Sequence, residues 1–454
     1  MGDDTVGWMN SKTSSHLSTL GPPAALWYEH SCPEDQKPKK LAPHSKGTSL
    51  RGHGPPVIPS PKISTTLSTS QSRILAQSNF SDLFFPQSSA GGAIFDSISA
   101  DSPAFLAAGD ALCALQIGAV HHDTVLLREF SRLYGKALHC LRIAIQKVGK
   151  DTPSNDLSAT VYFLAIIELC ISGSFDAPGW MQHAQVLLRF YNKNEARGST
   201  PGPASRCYLK WQYTFSLGFG LLQKQCIHYE PPLWNNELRR RKFPLLELSM
   251  RVPACLKRLE AVRLVHNAPP NSVIDTVSEA LELRANMQDT ILDWSFNLDL
   301  PPYRVVGLGD YPAFKGMLED LASVYSTAYT FTNLTTAQLH RTLWTCHLVL
   351  DQAVVDVRGP YWAALASLNQ RELDKLESEL PVFAGHLCRS LPYFNLPELC
   401  TAGSISTLEP LYFLERHFER HGSSKQLAWT RKVSDETILG RKIVRILAAS
   451  EGKG

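Results

Sequence analysis

Residues 123–148, DTVLLREFSRLYGKALHCLRIAIQKV, decide the fold class of this chain. Their large apolar side chains recur at steps of three or four residues, a spacing that draws one stripe along an α-helix. The stripe consists of Leu127, Phe130, Tyr134, Leu138, Leu141, Ile145 and Val148. Gly149 and Pro153 follow, and both residue types end helices. The stretch therefore predicts an amphipathic helix over 123–148.

The helical pattern starts at about Pro103 and continues to the end of the chain. Asn155 or Asp156 can cap a helix over 156–172, which is apolar nearly all round, and Gly173 ends it. Pro178 opens a further helix. Additional helices are predicted at 204–227, 245–266, 272–297, 312–349, 360–395 (with or without a break), 405–421 and 425–449.

Pro and Gly clusters such as Pro231-Pro232 and Pro301-Pro302 separate many of these helices. No run alternates at period two for long enough to predict a sheet. We therefore expect an all-α fold of ten or more helices over 76–454. Residues 1–75 are rich in Ser, Thr, Pro, Gly and Lys, and their apolar residues show no helical or strand periodicity. This composition predicts a disordered tail.

The charge balance argues against a broad phosphate-binding surface. The chain of 454 residues carries 45 basic and 42 acidic side chains. Residues 1–75 hold eight of the basic and five of the acidic groups, which leaves 37 of each for the helical body. A neutral body argues against the broad cationic face that nucleic-acid binding uses, and leaves room for a local basic patch.

No secretory signal, membrane span or zinc motif is expected. The first ten residues, MGDDTVGWMN, have no apolar core, and the longest apolar stretch, Leu157 to Ile171, has about fifteen residues where a span needs about twenty. The ten cysteines include no CxxC pair, so we expect free, buried thiols and no metal ligands. Cys226 and His228, with Cys207, fit no common zinc spacing.

The usual catalytic and nucleotide-binding motifs are also missing, so we expect no enzyme, no catalytic residue and no cofactor. One alternative is an all-α enzyme of the terpene-cyclase kind, which holds magnesium–diphosphate with carboxylates. Asn271, Asp275 and Glu279 share one helix face and resemble that family's metal-binding triad. Asp289 and Asp293 form a second carboxylate pair downstream of this triad. In the terpene-cyclase family the aspartate-rich motif comes before the triad, so the order here is reversed. Such pairs are common on solvated faces, where Arg284 could offset them.

Two basic runs are candidates for nuclear import. The stronger is Arg239, Arg240, Arg241 and Lys242, and the second is Lys37-Pro-Lys39-Lys40 in the tail. Adjacent cations suit the acidic groove of an import receptor. A solvated helix end is the alternative interpretation of the first run.

Several stretches, in this order, resemble the regulatory domain of fungal-specific transcription factors of the binuclear zinc cluster family. They are Tyr134–Leu141, Leu157–Glu168, Gly179–His183, His386–Tyr393, Glu409–Leu414, and Trp429 with Gly440. The resemblance covers about 95–450. It implies a large helical regulatory domain that acts in transcriptional control.

The chain departs from that family at the zinc cluster. Six cysteines bridge the two zinc ions in the family, whereas residues 1–112 contain only Cys32. The resemblance then implies a regulator or co-regulator in the nucleus that reaches DNA only indirectly, either by pairing with other transcription regulators or by sensing a small effector. Both a homodimer and a heterodimer are compatible with it. By analogy it controls a secondary-metabolite gene cluster. A cytosolic helical scaffold, and an upstream exon that encodes the cysteines, stay open as alternatives.

Overall fold

The computed structural model describes residues 102–120, 122–148, 154–195, 217–224, 244–265, 267–296, 298, 301–317, 324–396, 399–438, 441, 443 and 446. Of these residues, 82% are helical, which confirms the all-α prediction. The predicted tail over 1–75 and the basic run Arg239–Lys242 lie outside the described residues.

The helices follow one another along the chain with one short hairpin between them. They are α1 (Pro103–Val120), α2 (Thr124–Val148), α3 (Asn155–Ser172), α4 (Pro178–Glu195), α5 (Pro244–Ser249), α6 (Val252–Leu264), α7 (Pro270–Phe296), α8 (Leu334–Arg358), α9 (Gln370–Phe394), α10 (Cys400–Arg420) and α11 (Ser424–Thr437). The strands β1 (Tyr303–Gly307) and β2 (Thr327–Phe331) lie between α7 and α8. Residues 217–223 are also helical.

The first four helices pack around α3. This helix is buried nearly all round, as its sequence predicts, and contacts α1, α2 and α4. Its N-cap is Ser154, whose side chain accepts from the Leu157 N–H, so the prediction of Asn155 or Asp156 as the cap is wrong by one residue or two. Gly173 ends the helix with φ at 64°, a left-handed conformation that glycine adopts without strain.

Helix α2 buries a narrower face than its stripe predicts. Leu127, Phe130 and Leu141 are buried, but Leu138 is 38% exposed and Ile145 is 42% exposed. The small Ala137 contacts the core in place of Leu138. Since α2 has 25 residues and its neighbours α1 and α3 have 18, it is longer by about 10 Å and its last turns extend past them.

The helix predicted over 312–349 is wrong in its first half. Residues 312–317 form a 3-10 helix, and β2 pairs antiparallel with β1, Tyr303 opposite Phe331 and Gly307 opposite Thr327. The sequence of β2, TAYTF, is rich in aromatic and β-branched residues, which favour strands. The α-helix begins only at Leu334, after Asn333 accepts a hydrogen bond from the Thr336 N–H.

Three other predicted boundaries change. The helix predicted over 245–266 divides into α5 and α6 around Met250 and Arg251, because Pro253 opens the second helix. The helix predicted over 425–449 is interrupted: α11 ends at Thr437, where Ile438 turns extended, and residues 441, 443 and 446 are helical again. The helix predicted over 360–395, with or without a break, begins only at Gln370, because a turn and the 3-10 helix Ala364–Ser367 precede it.

Helix α8 lies at the centre of the second half. Sixteen of its 25 residues are buried, and it contacts α5, α6, α7, α9, α10 and β2. No helix in the described part of the chain combines the length and hydropathy that crossing a lipid bilayer demands.

Helices α9 and α10 approach closely at Gly403. A methyl group on Gly403 would overlap the Phe394 carbonyl oxygen, whereas Gly385 in α9 has nothing within 4 Å of the corresponding position. We expect Gly403→Ala to lower the free energy of unfolding by about 1–3 kcal/mol, the usual cost of overpacking. The matched control Gly385→Ala should raise it by up to about 1 kcal/mol, because alanine is the better helix former. Urea denaturation of both variants measures the difference, and equal stabilities would contradict the packing described.

Candidate functional site

A cavity of about 290 Å³ lies between α6, α8, α10 and the segment 217–224. It is open to solvent on one side. Its apolar lining consists of Leu221, Leu256, Leu259, Leu348, Val349, Ala353 and Phe413. Its polar lining consists of Lys224, Glu260, Arg263, Gln352, Asp356, Arg416, His417 and Arg420.

The lining residues recur at helical steps on each of the three helices. Helix α6 contributes 256, 259, 260 and 263, α8 contributes 348, 349, 352, 353 and 356, and α10 contributes 413, 416, 417 and 420. Steps of three and four place side chains on one face of a helix. In each helix the apolar residues come first and the charged residues follow, so the cavity has an apolar floor and a charged rim.

The rim carries more positive than negative charge. Four cationic side chains, Lys224, Arg263, Arg416 and Arg420, face two carboxylates, Glu260 and Asp356. Glu260 pairs with Lys224 and lies 3.8 Å from an Arg263 nitrogen, so one carboxylate serves two cations. Arg420 donates two hydrogen bonds to Asp356.

His417 is buried on the same face and adds no charge near pH 7. Burial, and then the nearby His421 and Arg420, lower its pKa to about 4. Gln352 donates to Asp356 and is within 2.8 Å of the His421 ring, which ties the α8 and α10 sides of the rim together.

Arg416 and Arg263 are the two weakly neutralised cations of the rim: Arg416 pairs with Asp176 at 3.5 Å, and Arg263 lies 3.8 Å from the Glu260 carboxylate that Lys224 also uses. The Arg416 guanidinium lies 3.7 Å above the centre of the Tyr412 ring. Within the described residues its hydrogen bonding amounts to one long contact, 3.5 Å to Asp176. A stacked guanidinium keeps its N–H groups at the edge of its plane, where a carboxylate can accept two of them.

Buried ion pairs hold the floor of the cavity in place. Arg284 on α7 donates to Asp351 on α8 at 2.9 Å and to Glu379 on α9. Arg341 on α8 pairs with Glu409 on α10 at 3.3 Å. Burial raises the pKa of Asp351 to about 7 despite the neighbouring arginine. These pairs fix three neighbours of α8, and the faces that line the cavity are fixed with them.

The carboxylates of the alternative enzyme hypothesis are separated along α7. Asn271 and Asp275 are exposed, and Glu279 pairs with Arg258 of α6. Asp275 and Asp293 are eighteen residues apart, about 27 Å along the helix, so they cannot share one ion. The prediction that Arg284 offsets these surface acids is wrong, because Arg284 points into the core.

Among the described residues, no group of three or more His, Cys, Asp or Glu side chains could hold a metal ion. The six described cysteines are free, and five of them are buried. Burial raises the pKa of Cys170 and of Cys388 to about 12, so both stay protonated and unreactive. Cys207, Cys226, His228 and His121 lie outside the described residues.

Several residues that carry the family resemblance serve packing. Tyr134 donates to Glu168, which joins α2 to α3. The indole N–H of Trp180 donates to the Phe175 carbonyl at 2.7 Å, and Trp429 is buried against Tyr325. These motif residues thus account for contacts between helices. The cavity is lined by other residues, except for Phe413, which belongs both to a motif and to the lining.

A second cluster of chemistry-bearing side chains surrounds His340. Its ring lies 5.3 Å from those of Tyr303 and Trp344, and neither ring nitrogen has a hydrogen-bond partner within the described structure. Tyr329 and His386 approach to 2.7 Å beside it. The rings pack edge to face and tilted, as core aromatics do. We interpret this cluster as the core beneath the hairpin.

The cavity cannot be recognised in the sequence, because its residues are scattered over four segments. One signal was present: α6 and α10 both end in basic residues that follow an apolar face, Arg263 and Arg420 among them. Cations at helix C-termini also stabilise the helix dipole, so this signal alone does not identify a site.

Comparison with protein-family models, with curated proteins and with solved structures found no match for this chain. The residues described above are therefore the basis for assigning a function.

The buried histidines predict acid sensitivity. Burial lowers the pKa of His340 to about 3, so between pH 6.5 and pH 5 the unfolded chain binds a proton that the folded chain excludes. Stability is then full above pH 6.5 and falls with acid, by about 2 kcal/mol at pH 5 for this one group. We expect His340→Leu to reduce the difference in unfolding free energy between pH 7.5 and pH 5 by about that amount.

The control is His139→Leu on the exposed face of α2, which should keep the pH dependence of the unaltered protein. Urea titrations at the two pH values provide the measurement. An unchanged pH dependence in His340→Leu would show that His340 is not a buried neutral imidazole.

Proposed function

We propose that this protein is a regulator or co-regulator of transcription that acts through protein contacts and has no zinc-cluster DNA-binding module in this sequence. The observation that carries the proposal is the order of the family-like motifs along the chain. The described motifs fall on α2, α3, α4, α9, α10 and α11, and each packs against a neighbouring helix. An all-helical body is the architecture that the resemblance implies.

Exposed apolar side chains support a role in protein contacts. Phe296, at the end of α7, is 79% exposed, and Leu138, Ile143 and Ile145 are exposed on α2. Apolar groups grouped on one helix favour association with another protein, including a second copy of this chain. Other transcription regulators are the partners we propose, with DNA reached through them, and a secondary-metabolite gene cluster is the proposed target.

The prenyl-diphosphate hypothesis has no observation in its favour. Its carboxylates face solvent or an arginine, as described above, and none of them lines the cavity. We therefore do not propose it.

The proposal predicts nuclear accumulation that depends on the basic runs. A fluorescently tagged chain should concentrate in nuclei, and deletion of its gene should change the transcripts of a limited set of genes. Replacing Arg239, Arg240, Arg241 and Lys242 by alanine should shift the protein to the cytosol. A triple alanine variant of Lys37, Lys39 and Lys40 tests the second run.

Co-purification separates the proposal from the scaffold alternative. A chromatin-associated partner supports transcriptional regulation, and a purely cytosolic partner supports a scaffold. A cytosolic unaltered protein together with an unchanged transcriptome would contradict the proposal.

A further inference from the structure

We propose that the cavity between α6, α8 and α10 binds a small amphipathic anion, with a carboxylate at Arg416 and an apolar body against the leucine floor. This inference does not rest on the proposed function, because it follows from the geometry and charge of the cavity itself.

The size of the cavity sets the size of the ligand. Its 290 Å³ is at the lower end of the range of about 300–1,000 Å³ for small-molecule sites. It corresponds to the share of about ten water molecules in the liquid. The site therefore suits a compound of about ten non-hydrogen atoms and is too small for a sterol or a dinucleotide.

The floor sets the chemistry of the ligand body. Leu256, Leu259 and Leu348 belong to the buried core, and Phe413 closes one side. The floor offers no hydrogen bond to a polar ligand, since its side chains are hydrocarbon. An apolar chain or ring is the group that gains from leaving water there.

The rim sets the charge of the ligand. Four cations line the rim with two carboxylates, and Asp176, outside the lining, pairs with Arg416, which leaves one net positive charge. Glu260 is shared between Lys224 and Arg263, and Asp356 is occupied by Arg420. Arg416 makes one 3.5 Å contact with Asp176, so most of its five N–H donors stay available to a ligand. It lies one turn beyond Phe413 on the same face of α10, so it can bind the head of a ligand whose body touches the floor.

The helix dipole explains only part of this rim. Arg263 and Arg420 occupy the last turns of their helices, where cations are generally favourable. Arg416 precedes the last turn of α10, stacks on the half-buried Tyr412 and pairs with Asp176. The dipole therefore gives no reason for a cation at position 416.

Octanoate is a suitable probe, because it combines a carboxylate with an apolar chain of the right size. We expect purified full-length protein to bind octanoate saturably at one site in a calorimetric titration. Acetate lacks the apolar body, 1-octanol lacks the charge and octylammonium reverses it, so each should bind at least about tenfold more weakly.

Two variants locate the site. Arg416→Gln should weaken octanoate binding by about tenfold or more and leave 1-octanol binding unchanged. The matched control is Arg431→Gln on α11, because Arg431 is exposed to the same extent, 54% against 55%, and also pairs with one carboxylate. It should bind octanoate like the unaltered protein. Ala353→Leu, which fills the cavity from α8, should abolish binding of octanoate and of 1-octanol.

Circular dichroism and a urea midpoint establish that each variant is folded. If Ala353→Leu does not fold, the pair Arg416→Gln and Arg431→Gln still decides the question, because both side chains lie at the surface. The proposal is overturned if octanoate does not bind saturably, if acetate or octylammonium binds as tightly, or if Arg416→Gln binds octanoate unchanged. Cytosolic localisation would count against the proposed function and leave this result untouched.

Discussion

The second half of this fold depends on one buried ionic arrangement, in which Arg284 joins Asp351 and Glu379. These three residues come from α7, α8 and α9, and each is almost fully removed from solvent. Such an arrangement adds little net stability compared with an apolar core, but removing one partner leaves a buried charge and costs about 3–5 kcal/mol. It therefore selects one packing of α8 among its neighbours. Arg341 and Glu409 do the same for α8 and α10.

Helical periodicity predicted most of the architecture, because each long helix has a face that must be buried. Helices α3, α7 and α9 begin or end within two residues of their predictions. The prediction of one helix over 312–349 was wrong, since five residues of strand sequence, TAYTF, are too short to outweigh a helical pattern that continues on both sides. Only their pairing with β1 and packing on α8 and α9 make the strand favourable, and these contacts are remote in sequence.

The candidate site was harder to predict, because it too is formed by residues that are remote from one another in sequence. A cavity has no periodicity of its own, because it is the space that four segments leave between them. Arg284 illustrates the difficulty: it is close in sequence to surface carboxylates, yet its side chain pairs with two acids 67 and 95 residues away. The motifs that carry the family resemblance describe packing, which is why they predict the fold better than the function.

Helix α8 supplies both the floor of the cavity and the centre of the core, and this has a thermodynamic consequence. A helix buried on nearly all sides cannot open by itself, so the cavity persists only while the second half of the chain stays folded. Any compound that binds in the cavity of the folded protein must then raise the melting temperature, by an amount that grows with the logarithm of its concentration relative to its dissociation constant. Binding in the cavity can therefore be detected as an increase in melting temperature, and a compound library can be screened by thermal denaturation of the protein.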